Sequence, residues 1–257
     1  KPSSAASDVY KRQVQHRCIG LGRASGTPAR AMSPTKNGVG LSVTGLSKSY
    51  AASHGRAVFR DLSFELEHSG RLALLGRNGQ GKSTLIKILG GVLPQTSGTI
   101  DWRMSASWPI GFGGGFQGSL SGLDNVRFLA RLYDCPYHEL LERVDDFAEL
   151  GSKLKQPVKH YSSGMRARLA FGLSLAIEFD CYLIDELVAV GDIRFQEKCQ
   201  EELFERRKER AFIMASHDLH LIGRLCERAL IVEGGRARMF DDIEEAVDIY
   251  CWLRAGA

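Results

Sequence analysis

Apolar and polar positions change period several times along this chain. LSVTGL (41–46) and AVFRDLSFEL (57–66) carry the look of strands, and RLALL (71–75) is a short, almost wholly apolar strand run. A helix is expected from Lys82 to about Gly90. Apolar residues recur at helical spacing over 122–151 and again over 163–178. CYLID, AFIMAS and ALIVEGG return to strand character, and a final helix is expected over 242–253. Strands alternating with helices predict an α/β fold with a mostly parallel sheet and helices packed on it. No internal repeat is visible.

Composition changes this picture little. With 257 residues, 44% hydrophobic and 25% charged, the chain has enough for one good core, or one core with a small appended lobe. The formal charge of +4 is unevenly placed. Residues 1–31 hold Lys1, Lys11, Arg12, Arg17, Arg23 and Arg30 against Asp8 alone, and removing that +5 leaves −1 for residues 32–257. The body therefore offers no bulk argument for nucleic acid, which is not expected as a partner. The tail is rich in Ser, Ala, Gly and Arg without periodicity, so disorder or a non-native origin is expected there, with a start at Met32. Cys18, Cys135, Cys181, Cys199, Cys226 and Cys251 show no paired metal spacing and read as reduced thiols of a cytosolic protein. No apolar run approaches the ~20 residues that span a bilayer.

The candidate chemistry begins where RLALL ends. Gly76-Arg77-Asn78-Gly79-Gln80-Gly81-Lys82-Ser83 fits GxxxxGK[ST] at each fixed position, and Thr84 follows. Glycines let the backbone wrap a phosphate with its amides inward. Lys82 supplies a point charge to the β- and γ-phosphates, Ser83 a magnesium ligand, and the helix behind them its positive end. A metal site of this kind needs an acid from another strand. Asp185, ending CYLID, is placed to hold Mg²⁺ through water, and Glu186 to polarise the attacking water.

Three further segments stand in order along the chain: Gln117 in GGFQG, YSSGM at 161–165, and ASHD at 215–218. Together with the glycine loop and the acidic strand they resemble the ATP-binding cassette ATPases, over residues 41–253. That resemblance implies a P-loop core with an antiparallel β subdomain and a helical subdomain at about 118–178, all within a single nucleotide-binding domain, 32–257. It implies ATP and Mg²⁺ as cofactors, with Tyr50 stacking on adenine and Gln117 joining Ser83 and Asp185 at the metal. His217 resembles the switch histidine that contacts the γ-phosphate beside Glu186. Ser162, Ser163, Gly164 and Met165 resemble the signature segment, with Ser163 where a glycine and Met165 where a glutamine is usual. In the family two copies pack head to tail and each signature caps the other's nucleotide. Ala189-Val190-Gly191-Asp192 stands at the dimer-contact loop, with Asp192 the contact.

The stretch SWPIGFGGGFQGSL (107–120) resembles the cassette subunits of bacterial polysaccharide exporters, and YSSGM and VAVGD suit that group. The stretch is expected to be a loop touching a permease. The implied function is ATP hydrolysis that energises capsule-type polysaccharide export through a separate integral permease, the cargo being touched only indirectly. Teichoic-acid or O-antigen export, or a non-transport cassette ATPase, are the alternatives. With Ala257 following the cassette so soon, the carbohydrate-binding extension of many O-antigen proteins is not expected. The expected location is the cytoplasmic face of the bacterial inner membrane, peripherally attached.

Overall fold

The computed structural model describes residues 38–50, 57–110, 117–186 and 193–255. The tail at 1–31, Met32, the stretch Gly111–Phe116, and the Ala189–Asp192 segment with its expected contact residue all lie outside the described residues.

Two sheets organise the chain. A three-stranded antiparallel sheet has β1 (Val39–Ser49) at its centre, flanked by β2 (Ala57–Glu67) and β4 (Ser97–Trp102). A six-stranded sheet takes β3 (Arg71–Leu75), β5 (Ala106–Ile110), β6 (Cys181–Asp185), β7 (Ala211–Ala215), β8 (Arg228–Glu233) and β9 (Arg236–Phe240) in the order β5-β6-β7-β3-β8-β9. Its first five strands are parallel, and only the β8–β9 hairpin is antiparallel. The expected mixed α/β class with a mostly parallel core sheet is what forms.

The parallel strands are apolar on both faces because both faces are covered. Along β6, Tyr182 and Ile184 join one apolar cluster, while Cys181 and Leu183 join the other. The first cluster is closed by helices α2 (Gly122–Leu132), α3 (Tyr137–Ala148), α4 (Ser163–Ala176), α5 (Ile193–Gln200), α6 (Leu219–Leu225) and α7 (Ile243–Ala255). The second is closed by α1 (Lys82–Leu89) and the antiparallel sheet. Strand alternation thus carries Asp185 on the Cys181–Leu183 side, toward the helix that begins with Lys82 and Ser83.

The fold revises or refines the expectations at three points. The front of the SWPIGFGGGFQGSL stretch is not a loop: residues 106–110 form edge strand β5, with Ser107, Trp108 and Ile110 buried. Trp108 packs edge-on against Phe179 and tilted against Tyr133, and its indole N–H donates to Ser174 Oγ at 2.8 Å. A tryptophan so enclosed serves the core. Pro109 is tolerated because an edge strand leaves one side of its backbone unpaired. Secondly, the helical stretch at 122–151 is two helices, broken where Asp134 turns left-handed (φ 53°) ahead of Pro136. Thirdly, β4, β9, α5 and α6 were not expected from the pattern. A π-helical turn, Glu201–Glu205, continues α5.

Candidate nucleotide site

The site stands at the C-terminal ends of three neighbouring parallel strands. The glycine loop leaves β3, Asp185 ends β6 with Glu186 next, and Ser216-His217 follow β7. Ligands of open parallel sheets gather at this edge, because the strand ends and the helix N-termini converge there.

Backbone conformation shapes the loop. Gly76, Gly79 and Gly81 have φ of 149°, 81° and 102°, a region closed to most side chains. A Cβ on Gly76 would lie 2.3 Å from the Val232 carbonyl oxygen, whereas one on Gly79 would meet nothing within 4 Å. The loop is therefore pressed onto β8 at its root and open at its crown. Gly76→Ala is expected to destabilise the protein by about 1–3 kcal/mol through overpacking, visible as a lowered Tm and lost nucleotide binding. Gly76 is a root position, so wild-type stability in that variant would mean that the loop does not sit against β8.

Lys82 turns its ammonium back into this loop, donating to the carbonyls of Gly76 and Arg77. Burial pulls its pKa below the ordinary lysine value, against the opposing pull of the Glu186, Asp185 and Glu233 carboxylates. Ser83 Oγ donates to Asp185 Oδ1 at 2.8 Å. A hydroxyl and a carboxylate so paired are the hard oxygen donors that magnesium takes. Glu186 is held left-handed at φ 54°, with its N–H bonded to the Ala215 carbonyl at 2.8 Å. Strain of this kind in a non-glycine residue costs on the order of 1–2 kcal/mol. His217 Nε2 lies 3.7 Å from Glu186 Oε1. The histidine sits in a turn in which Ser216 Oγ accepts the Asp218 N–H, and Asp218 caps α6 through the Leu221 N–H. Lys82, Ser83, Asp185, Glu186 and His217 are thus gathered on one edge.

Tyr50 follows Ser49, which pairs with Ala57, and the next residue, Val58, abuts Gly81. That register brings the end of β1 beside the loop. Tyr50 is 42% exposed, with the Lys48 ammonium 4.9 Å from its ring centre. Gln117 is held by its backbone: its N–H donates to Asn125 Oδ1 at 2.8 Å and its carbonyl accepts from Asn125 Nδ2 at 3.2 Å. Ser162 caps α4 by accepting the Met165 N–H, so Ser163 and Gly164 form the open first turn of that helix. Among the described residues, no hydrogen bond or ion pair joins Gln117 or residues 162–165 to the loop of the same chain.

One contact set was missed by sequence reasoning. The Arg77 side chain is paired with Glu233, with Nε–Oε1 at 2.8 Å, and Gln80 Oε1 accepts the Gly234 N–H at 3.0 Å. Both bonds tie the glycine loop to the β8–β9 turn, while Arg60 N–H bonds Gly235 and ties the same turn to β2. The Gly-Gly pair after ALIVE was the available signal for a tight turn, but nothing local says which loop it holds.

The comparisons with known proteins agree with this geometry. A family model described as ABC transporter matches residues 59–189. The capsule polysaccharide export ATP-binding protein of Neisseria meningitidis serogroup B is 50% identical over 211 residues, covering 82% of this chain and 98% of that protein. The polysialic acid transport ATP-binding protein of Escherichia coli is 44% identical over 214 residues, covering 82% and 96%. Among solved structures, the ATP-binding subunit of an ABC transporter superposes with a TM-score of 0.65 at 24% identity, over 82% of this chain and 94% of that one.

Proposed function

Because the chain belongs to the ABC transporter family, whose ATP-binding subunits hydrolyse ATP, we propose that it energises export of a capsule-type polysaccharide through a separate membrane permease. The observation that carries this reading is 50% identity, across nearly the whole of a capsule polysaccharide export protein, in a chain whose site has the required carboxylates and lysine. Among the described residues no helix is long and apolar enough to cross a membrane. This reading gives the membrane span to the partner permease and places the subunit on the cytoplasmic face of the inner membrane.

The chemistry follows from the positions of the side chains. The loop amides and Lys82 bind the β- and γ-phosphates, and the open crown at Gly79 leaves room for them. Tyr50 receives the adenine. Mg²⁺, when bound, would neutralise phosphate charge, and Ser83 and Asp185 are the residues to hold it, with Gln117 beside them. Glu186 accepts the proton of the attacking water, and His217 orients Glu186 and meets the γ-phosphate. Ser162, Ser163, Gly164 and Met165 do not reach their own loop. Their open helix end, a favourable place for a polyanion, caps the nucleotide of a second copy packed head to tail, with Asp192 at the contact. Two copies then close on ATP and relax after hydrolysis, since ATP favours the state in which it makes the extra contacts. The lobe at 118–178 carries that motion to the permease.

The test is affinity purification of the tagged chain from detergent-solubilised membranes of its own cell, with mass spectrometry of what comes with it. A small multi-helix permease encoded in a polysaccharide locus is the expected companion. Ribosomal or DNA-repair partners, with no integral protein, would leave the ATPase standing and overturn the export reading.

A further inference from the structure

Arg207 lies just beyond the π-helical turn that prolongs α5, and its side chain is only 10% exposed. A guanidinium has five N–H donors, and here each has an acceptor. Nε donates to the Tyr182 hydroxyl at 3.0 Å. Nη1 donates to the Glu202 carbonyl at 2.7 Å and to Glu202 Oε2 at 2.6 Å. Nη2 donates to the Leu175 carbonyl at 2.8 Å and to Glu178 Oε1 at 3.2 Å. A cleft of about 650 Å³ opens beside this group, lined by Arg143, Lys198 and Glu202 among others, and none of the nucleotide-site residues lines it.

The acceptors are not scattered. Leu175 belongs to the last turn of α4, Tyr182 is the second residue of β6, and Glu178 lies in the short link between them. The Tyr182 hydroxyl also accepts the N–H of Phe179, in the same link. One side chain therefore brackets the α4–β6 joint from both sides and fastens it to the helix that follows residues 187–192. The opposite ends of these elements are functional ones. α4 begins at Ser163, and β6 ends at Asp185 with Glu186 next.

We propose that Arg207 is a positioning residue for ATP hydrolysis. It pins the α4–β6 joint so that the carboxylates on β6 and the capping serines on α4 are presented at one fixed angle. This rests on the head-to-tail reading of Ser162 and Ser163 given above. Leverage makes the joint matter. α4 has 14 residues, and at 1.5 Å per residue it is about 20 Å long. A tilt of about 5° at its pinned end therefore moves its first turn by roughly 2 Å, whereas a misplacement of about 1 Å is enough to cost on the order of 10²-fold in rate. Lysine cannot substitute, because three donors on a flexible stem do not reproduce a planar five-donor bracket.

The experiment compares the full chain with its Arg207→Lys, Arg207→Gln and Tyr182→Phe variants. ATP affinity, steady-state ATPase and thermal unfolding are measured for each, together with ATP-driven dimerisation of the same variants in a Glu186→Gln background. Well below their own Tm, both Arg207 variants are expected to lose about tenfold or more in kcat, with ATP affinity within about twofold of wild type. Lysine should not rescue, and dimerisation should fall in the Glu186→Gln background. Tyr182→Phe, which removes one of the five Arg207 bonds together with the Phe179 N–H bond at the same joint and leaves the ion pairs, should show the same split more weakly, and it decides the matter if the Arg207 variants do not fold. Wild-type kcat and dimerisation below Tm, or parallel loss of affinity and turnover, would overturn the inference. If Glu186→Gln alone gives no ATP-driven dimer, the head-to-tail reading itself falls and takes the inference with it.

Discussion

Replacing Lys82 by alanine is expected to weaken ATP binding by roughly 30-fold or more, the lower end of the ~2–5 kcal/mol lost when one member of a buried charge pair is removed. The side chain lies partly buried at the first turn of α1, with its ammonium turned onto the Gly76 and Arg77 carbonyls. The amine is therefore already aimed into the concavity the loop encloses, and phosphate oxygens would take over bonds that the carbonyls now accept. Isothermal titration with ATP measures the loss directly. A lysine contributing only to loop stability would instead lower Tm and leave the affinity of the folded fraction intact, which would remove it from the cradle.

The electrostatics add a pH signature to the same residue. Burial lowers the Lys82 pKa, and the Glu186, Asp185 and Glu233 carboxylates oppose that shift. It is the protonated form that binds a polyanion. The free protein should therefore hold its affinity at neutral pH and lose it on the alkaline side earlier than an ordinary lysine would. The alanine variant should show no such alkaline limb.

Glu186→Gln should lower kcat by about 10²–10⁴-fold, the usual worth of a general base, while ATP affinity changes little. Gln keeps the shape and the backbone demands of the site and removes only the capacity to accept a proton. The Glu186 side chain is 62% exposed, with His217 Nε2 3.7 Å from its Oε1, so the change leaves the core untouched and Tm should hold. Turnover and ATP binding must come apart in this variant. If the variant turns over at the wild-type rate, some other group takes the proton and Glu186 has no catalytic part.

Much of this site was legible because its signals are local. GRNGQGKST is contiguous, CYLIDE places an acid at a strand end, and period-2 alternation turns Asp185 toward the helix bearing Ser83. Other features depend on contacts between distant residues. The Arg77–Glu233 pair spans 156 positions, and no local pattern foretells it. Trp108 sits in a glycine-bordered run that resembles a loop until β6 pairs with it and the indole finds Ser174. β4 is mostly solvated, so it has no apolar alternation to read. α5 did leave a trace: Phe195, Cys199 and Leu203 recur every four residues and all are buried. The left-handed backbone at Glu186 is invisible in sequence because any residue type can be held there once its neighbours over-determine it.

The strand order also has a consequence for biogenesis. β3 is hydrogen-bonded to β7 on one side and β8 on the other, and both lie far downstream. At about 5–20 residues per second, roughly 7–28 seconds separate emergence of RLALL from emergence of its first partner. Throughout that interval the glycine loop has neither the β8 backbone beneath Gly76 nor the turn that Arg77 and Gln80 grip. A nascent chain therefore acquires its nucleotide pocket late and all at once, and an apolar strand at the centre of the finished sheet is in the meantime among the segments most in need of a chaperone.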